Sequence, residues 1–118
     1  MMYDDRYLEY VELFNERDFY DCHEVLEDLW LDNDGPDRRF YQGLIHLASA
    51  FLLLLRGKLN GSRARFASTI VYLSEYPEHF HGLDVSDLKT NASFWLNELN
   101  QSAQTTYRES QVPILKLA

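Results

Sequence analysis

From Gly43 to Leu55 the chain reads GLIHLASAFLLLL, a run whose only ionisable side chain is His46. A helix that is apolar round most of its circumference has to be buried round most of it. A membrane can do this for a helix of about 20 residues, but this run has thirteen and is bracketed by Arg39 and Arg56. The remaining solution is the centre of a helical bundle. The helix is expected over 37–56, with Pro36 suited to its start and Gly57 to its C-terminal cap. Every other element then has to wrap around it.

The flanking sequence supplies four amphipathic partners. Tyr3, Tyr7, Tyr10, Val11 and Phe14 recur at helical spacing, so a first helix is expected from about Asp4 to Asn15, with Asp4 and Asp5 at the positive end of its dipole. Asp18 is placed to cap a second, whose apolar stripe is Phe19, Cys22, Leu26, Leu29 and Trp30. The turn formers Asp32-Asn33-Asp34-Gly35 end it, and they lack the ligand spacing of a calcium loop. A fourth helix, capped by Asn60 or Ser62, runs to about Tyr76 with Phe66, Ala67, Ile70 and Leu73 inward, and Pro77 stops it. Asp84 caps a fifth, with Leu88, Ala92, Trp95, Leu96, Leu99 and Ala103 on one stripe. No segment alternates as a strand does. The fold class is therefore all-α, a compact bundle of about five helices around the apolar helix at 37–56.

The 118 residues suit one domain, with the bundle over 1–104 and an extended or disordered tail over 105–118. A net charge of −8 disfavours a nucleic-acid partner. The single Cys22 leaves no internal disulfide and points to a reducing compartment, and no secretory leader pattern opens the chain. A cytoplasmic protein with neither nucleic-acid nor membrane partners is expected. Tyr3, Tyr7, Tyr10, Tyr72 and Tyr107 are more tyrosines than a small core requires, which suits a homo-oligomer. They also suit a core lined by tyrosines with their hydroxyls at the surface.

Two polar lines interrupt the apolar pattern. On the second helix, at about 100° per residue, His23 falls inside the inward stripe and Glu27, one turn on, lies at its edge. Glu24 points well away. On the third helix Arg39, Gln42, His46 and Ser49 stack along one face. The short turn between the two helices makes them neighbours, so the two lines are expected to meet in one buried seam. In its architectural form the seam is a Glu27–Arg39 bridge with His23 as a satisfied core histidine. In its chemical form His23, Glu27 and His46 offer ligands that suit zinc, iron or manganese. The string His23-Glu24-Val25-Leu26-Glu27 differs from the zinc-protease pattern by Glu in place of the second histidine, and the paired motifs of di-iron bundles are absent. His79 and His81 form a loop H-x-H of the kind usually without a specific role. Cys22, on the core stripe, reads as a small hydrophobe.

Several segments together resemble the domain-of-unknown-function 309 family. They are Phe14-Asn15, Phe19-Tyr20, His23-Glu24-Val25-Leu26-Glu27-Asp28-Leu29-Trp30, Phe40-Tyr41-Gln42-Gly43-Leu44-Ile45, Arg56-Gly57-Lys58-Leu59-Asn60-Gly61, Tyr76-Pro77 and Gly82-Leu83-Asp84-Val85. The similarity runs in order through about residues 7 to 100. It implies a small, mainly helical bundle of prokaryotic type, and it implies no activity. The positions it carries over are His23, Glu24, Glu27, Trp30, Gln42 and Gly43; His46 stands where the family pattern calls for Gln. That departure favours a hydrogen-bonded network or an amide-rich pocket over a metal centre.

Three functions are compatible with this seam. One is a binding or interaction module. Another is a metal-assisted, hydrolase-like enzyme, with His23 and Glu27 as ligands and Glu24 as a rim acid or base. The third is a small-molecule pocket using His23, Glu27, Gln42 and Arg39. No cofactor is specified. Trp30 and Gly43 are assigned to packing, Gly43 by allowing close approach of a neighbouring helix.

Overall fold

The apolar run forms helix α3 (Arg38–Leu55), and Phe40, Leu44, Leu47, Ala48, Ala50 and Phe51 on it are wholly shielded from solvent in the computed structural model, which describes residues 2–118. Around it lie α1 (Asp5–Asn15), α2 (Phe19–Leu31), α4 (Leu59–Leu73) and α5 (Val85–Gln101). α3 packs between α2 and α4, α1 lies on α2, and α5 lies on α4. Phe51 is the hub: its ring meets Phe14 at 6.0 Å, Phe19 at 5.4 Å, Phe66 at 5.0 Å and Trp95 at 6.2 Å between centroids. The fold is all-α, as expected. Among the described residues no helix is long and apolar enough to cross a membrane.

Asp18 and Asp84 cap α2 and α5 as expected, and Asp4 also caps α1, whereas Asp37 at the start of α3 makes no side-chain capping bond. Asp4 accepts from the Arg6 amide, Asp18 from that of Asp21 and Asp84 from that of Asp87, each satisfying an otherwise orphaned N–H. α4 departs from this pattern. It begins at Leu59, ahead of both proposed caps, and Ser62 lies inside it, buried, with Oγ donating to the Ala50 carbonyl at 2.8 Å. The fourth helix also ends at Leu73, and Tyr76 sits in the turn beyond. Its hydroxyl donates to Pro36 O at 2.6 Å and accepts from the Phe40 amide at 3.0 Å, closing the N-terminus of α3 from a distance. Gly57 takes the left-handed conformation, φ 70°, expected after α3. α5 stops at Gln101, so Ala103 lies beyond the stripe and is exposed.

Periodicity gave no sign of two short elements. His79–Phe80 (β1) and Leu83–Asp84 (β2) pair antiparallel across a His81-Gly82 turn whose two residues both have positive φ, 46° and 77°. Such a two-residue hairpin is too short to show alternation. The segment after α5 is extended apart from one turn of 3-10 helix at Glu109–Gln111. It is docked on the bundle rather than loose. Val112 and Leu115 are buried, and Asn15 brackets Leu115, donating to its carbonyl at 2.8 Å and accepting from its amide at 2.7 Å. Arg17 donates to the carbonyls of Val112 and Pro113, and the Trp95 indole to that of Gln111.

The tyrosines are largely accounted for within this packing. Tyr7 and Tyr10 are buried with their hydroxyls donating to the carbonyls of His81 and Leu44, at 2.8 and 2.7 Å. Tyr107 closes over Phe19 and Phe51 and donates to Glu109.

Gly43 marks a close approach of α3 to α4. A Cβ there would lie 2.9 Å from Leu73 Cδ2 and 3.1 Å from Tyr72 Cβ. The Leu73 methyl can turn aside, but the Tyr72 Cβ is fixed to the α4 backbone. Helix propensity alone would favour Gly43→Ala by about 1 kcal/mol, whereas overpacking costs about 1–3 kcal/mol. A net loss of about 1 kcal/mol is expected in urea unfolding. A variant as stable as the wild type would mean that α3 and α4 are free to move apart.

Candidate functional site

The two polar lines meet only in part: Glu27, Gln42 and His46 share one cleft, whereas Arg39 and His23 do not line it. Arg39 turns from α2 to Glu75, just after α4, with Nε at 2.6 and 2.9 Å from the two carboxylate oxygens, and its guanidinium lies 4.8 Å from the centre of the Tyr72 ring. The Glu27–Arg39 bridge is therefore not formed. Tyr72 lies on α4 and Glu75 in the turn just beyond it, on the side of α3 away from α2. His23 Nδ1 lies 3.1 Å from the Tyr20 carbonyl on its own helix, and Nε2 is 3.5 Å from Glu27, longer than a good hydrogen bond. Glu24 is exposed and, beside the Tyr20 hydroxyl, holds that phenol above its ordinary range.

His46 is tied to α4 rather than α2. Its Nδ1 lies 2.6 Å from Ser68 Oγ, which itself donates to the Arg65 carbonyl at 3.1 Å. The Ser68 contact occupies His46 Nδ1 in either tautomer of the ring. Burial, with the nearby Arg65 charge adding to it, pushes the imidazole down to about 4. The ring is neutral near pH 7. Among the described residues no three His, Cys, Asp or Glu side chains gather as metal ligands, and His23, Glu27 and His46 do not form such a trio.

What α2 and α3 do enclose is a cleft of about 190 Å³. It is lined by Glu27 and Trp30 from one side and by Gln42, Ile45 and His46 from the other. It is smaller than the roughly 300 Å³ at which drug-sized pockets begin, so it suits a small molecule or one end of a larger one. Glu27 reaches it with a carboxylate that is 45% exposed and has no Arg or Lys partner. Trp30 contributes an indole whose Nε1 is shielded from solvent and has no hydrogen-bond partner. Its ring is fixed from another side by the Arg38 guanidinium, 4.2 Å from the ring centre, which is held in turn by Asp34 at 3.0 Å. Leaving a buried donor unmade costs about 1–3 kcal/mol, and such a group calls for a water or a ligand. Gly43, next to Gln42, packs on α4 and leaves the cleft to its neighbours.

One of the loop histidines proved to be structured. His81 Nε2 lies 2.7 Å from Asp37 and its ring is partly enclosed by aromatic neighbours. The only hint in the sequence was His81-Gly82 at a turn. Cys22 is buried with its thiol pushed up by burial, in keeping with an inert core residue.

This architecture defines a class: a small helical bundle with a polar cleft between two of its helices. Residues 7–64, from α1 into α4, match the family described as "Domain of unknown function (DUF309)". The chain is similar to the "Uncharacterized protein YpuF" of Bacillus subtilis (strain 168), 35% identical over 71 residues that make up 58% of this chain and 41% of that protein. It is also similar to an "Uncharacterized protein" of Aquifex aeolicus (strain VF5), 26% identical over 77 residues, covering 64% of this chain and 23% of that protein. The chain spans less than half the length of either relative in these matches.

The state of His46 is directly testable. Its folded value of about 4 lies below the ordinary 6.5. Between those values the unfolded chain binds a proton that the folded chain refuses, so stability falls as pH drops through that window. The loss by pH 4.5 is on the order of 2 kcal/mol, allowing for screening at a partly exposed ring. Urea unfolding at pH 7 and 4.5 is expected to show His46→Gln losing less stability than the wild type by about that amount. Identical pH dependence would contradict the assignment.

Proposed function

We propose that this protein is a binding module whose ligand, a small molecule with an amide group, sits in the cleft between α2 and α3. The observation that carries this reading is the pairing of unmet needs on one wall. Trp30 Nε1 is a shielded donor without an acceptor, and Glu27 on the same helix is an acceptor without a strong cation. A ligand with an N–H for the carboxylate and an acceptor that displaces what covers the indole nitrogen satisfies both. Gln42 can both donate and accept, and His46 adds a second polar group held at Nδ1 by Ser68, so the opposite wall adds orientation. These groups also include three of the positions carried over by the family resemblance: Glu27, Trp30 and Gln42.

The test is an NMR titration of the 15N-labelled chain with nicotinamide and benzamide as probes. Saturable shifts are expected at Glu27, Trp30, Gln42 and His46, including the Trp30 indole N–H resonance. Glu27→Gln and Gln42→Leu, both at partly exposed positions, are expected to keep the fold and weaken binding about tenfold, as for the loss of one good hydrogen bond worth about 1.5 kcal/mol. Saturable shifts that survive both substitutions, or no saturable shift with either probe, would overturn the assignment.

A further inference from the structure

The hairpin turn, the N-terminal segment and the start of α3 enclose a second cavity, of about 110 Å³, lined by Met2, Tyr3, Asp4, Tyr7, Tyr41 and His81. It shares no residue with the α2–α3 cleft. Its volume is a few times the roughly 30 Å³ that one water occupies in the liquid. It is far below that of a pocket for a whole drug-sized ligand. It suits one compact chemical group.

Its walls are aromatic. Tyr7 lies 5.5 Å from Tyr3, 6.1 Å from Tyr41 and 6.0 Å from His81 between ring centres, and Tyr41 and His81 are nearly parallel at 10°. The rings are held in place. The Tyr7 hydroxyl donates to the His81 carbonyl at 2.8 Å, and His81 Nε2 is 2.7 Å from Asp37. Asp37 occupies the N-cap position of α3 yet makes no capping bond there, because the Tyr76 hydroxyl receives the Phe40 amide instead. Its carboxylate is given to His81. The turn itself requires no imidazole: a two-residue hairpin with positive φ at both positions is served best by Asn-Gly, Asp-Gly or Gly-Gly.

The surrounding charge is negative. Arg6 is the cation beside Asp4, and it is already shared between Asp4 at 3.2 Å and Asp32 at 2.7 Å. Asp37, held at 2.7 Å by His81, adds a third carboxylate behind that wall residue. Tyr41 registers this field: burial first, then Asp37 and Asp4, hold its phenol above the ordinary range, with Arg6 opposing. Electron-rich ring faces under a negative field attract a cation whose own surface is apolar. A bare metal ion needs a set of direct ligands instead, and among the described residues no such set exists.

We propose that the Tyr3–Tyr7–Tyr41–His81 cavity binds the head of a methylated ammonium group, with Asp4 and Asp37 supplying the counter-charge. The group can belong to a free small molecule or to a methylated lysine side chain. Its test uses the full 15N-labelled chain, titrated separately with tetramethylammonium, choline and 3,3-dimethylbutan-1-ol, the neutral isostere of choline. The two cations are expected to produce saturable shifts at Tyr3, Tyr7, Tyr41 and His81, with at least tenfold tighter binding than the neutral alcohol. Tyr3→Ala, at the cavity edge, is expected to weaken choline at least fivefold while leaving the thermal unfolding midpoint within a few degrees. A trimethyllysine peptide that binds more tightly than choline assigns the group to a methylated protein; the reverse order assigns it to a small molecule. Equal binding of choline and the alcohol, or cation-induced shifts confined to the α2–α3 cleft, would overturn the proposal. The wild-type comparison needs no variant to fold, and its outcome is independent of the cleft.

Discussion

α3 is clamped between α2 and α4, with Gly43 set directly against Tyr72 and Leu73, and the location of both candidate sites follows from that clamp. A helix turns about 100° per residue, so adjacent positions on α3 serve different neighbours. Gln42 and His46 line the cleft with α2, while Tyr41 lines the cavity beside the hairpin. The aromatic hub at Phe51 anchors the other end, where Phe14, Phe19, Phe66 and Trp95 converge from α1, α2, α4 and α5. Fixing both ends of one buried helix fixes the geometry of everything that hangs from it.

The polar groups divide into those spent on architecture and those left open. Arg39–Glu75 is an exposed pair, worth at most about 1 kcal/mol. Its consequence is larger than its energy, since it removes the one cation expected to neutralise Glu27. Ser68 similarly fixes His46 by one ring nitrogen and leaves the other free. Asn15 and Arg17 are spent on holding the chain after α5. Against this background of satisfied groups, Trp30 Nε1 and Asn91 Oδ1 stand out as buried side-chain atoms without partners. Only Trp30 lines the cleft that also contains an unneutralised carboxylate.

Much of the fold was legible because long amphipathic helices announce themselves by spacing. The apolar helix, the Asp18 and Asp84 caps and the Gly57 terminus depend on local physics that a sequence carries openly. The start of α4 was not legible, since Ser62 looks like a cap but its hydroxyl is used across the interface by Ala50. The hairpin was too short for its pattern to repeat. Within the candidate site, the wheel correctly separated Glu24 from Glu27 but sent Arg39 toward the wrong neighbour. A helical wheel specifies direction on one helix; it cannot choose between α2 and α4 as the surface that face meets. His81 was missed for a related reason. Its partner Asp37 is 44 residues away, and only the tertiary fold brings turn and cap together.

The account rests on an open α2–α3 cleft whose buried donor is completed by something other than protein. A crystal structure at a resolution that reveals ordered solvent, grown with nicotinamide present, measures this directly. The prediction is an open cleft with an ordered ligand acceptor about 3 Å from Trp30 Nε1 and a ligand N–H on Glu27. A cleft closed by Gln42 folding onto the indole, with Nε1 satisfied by the protein itself, would contradict it.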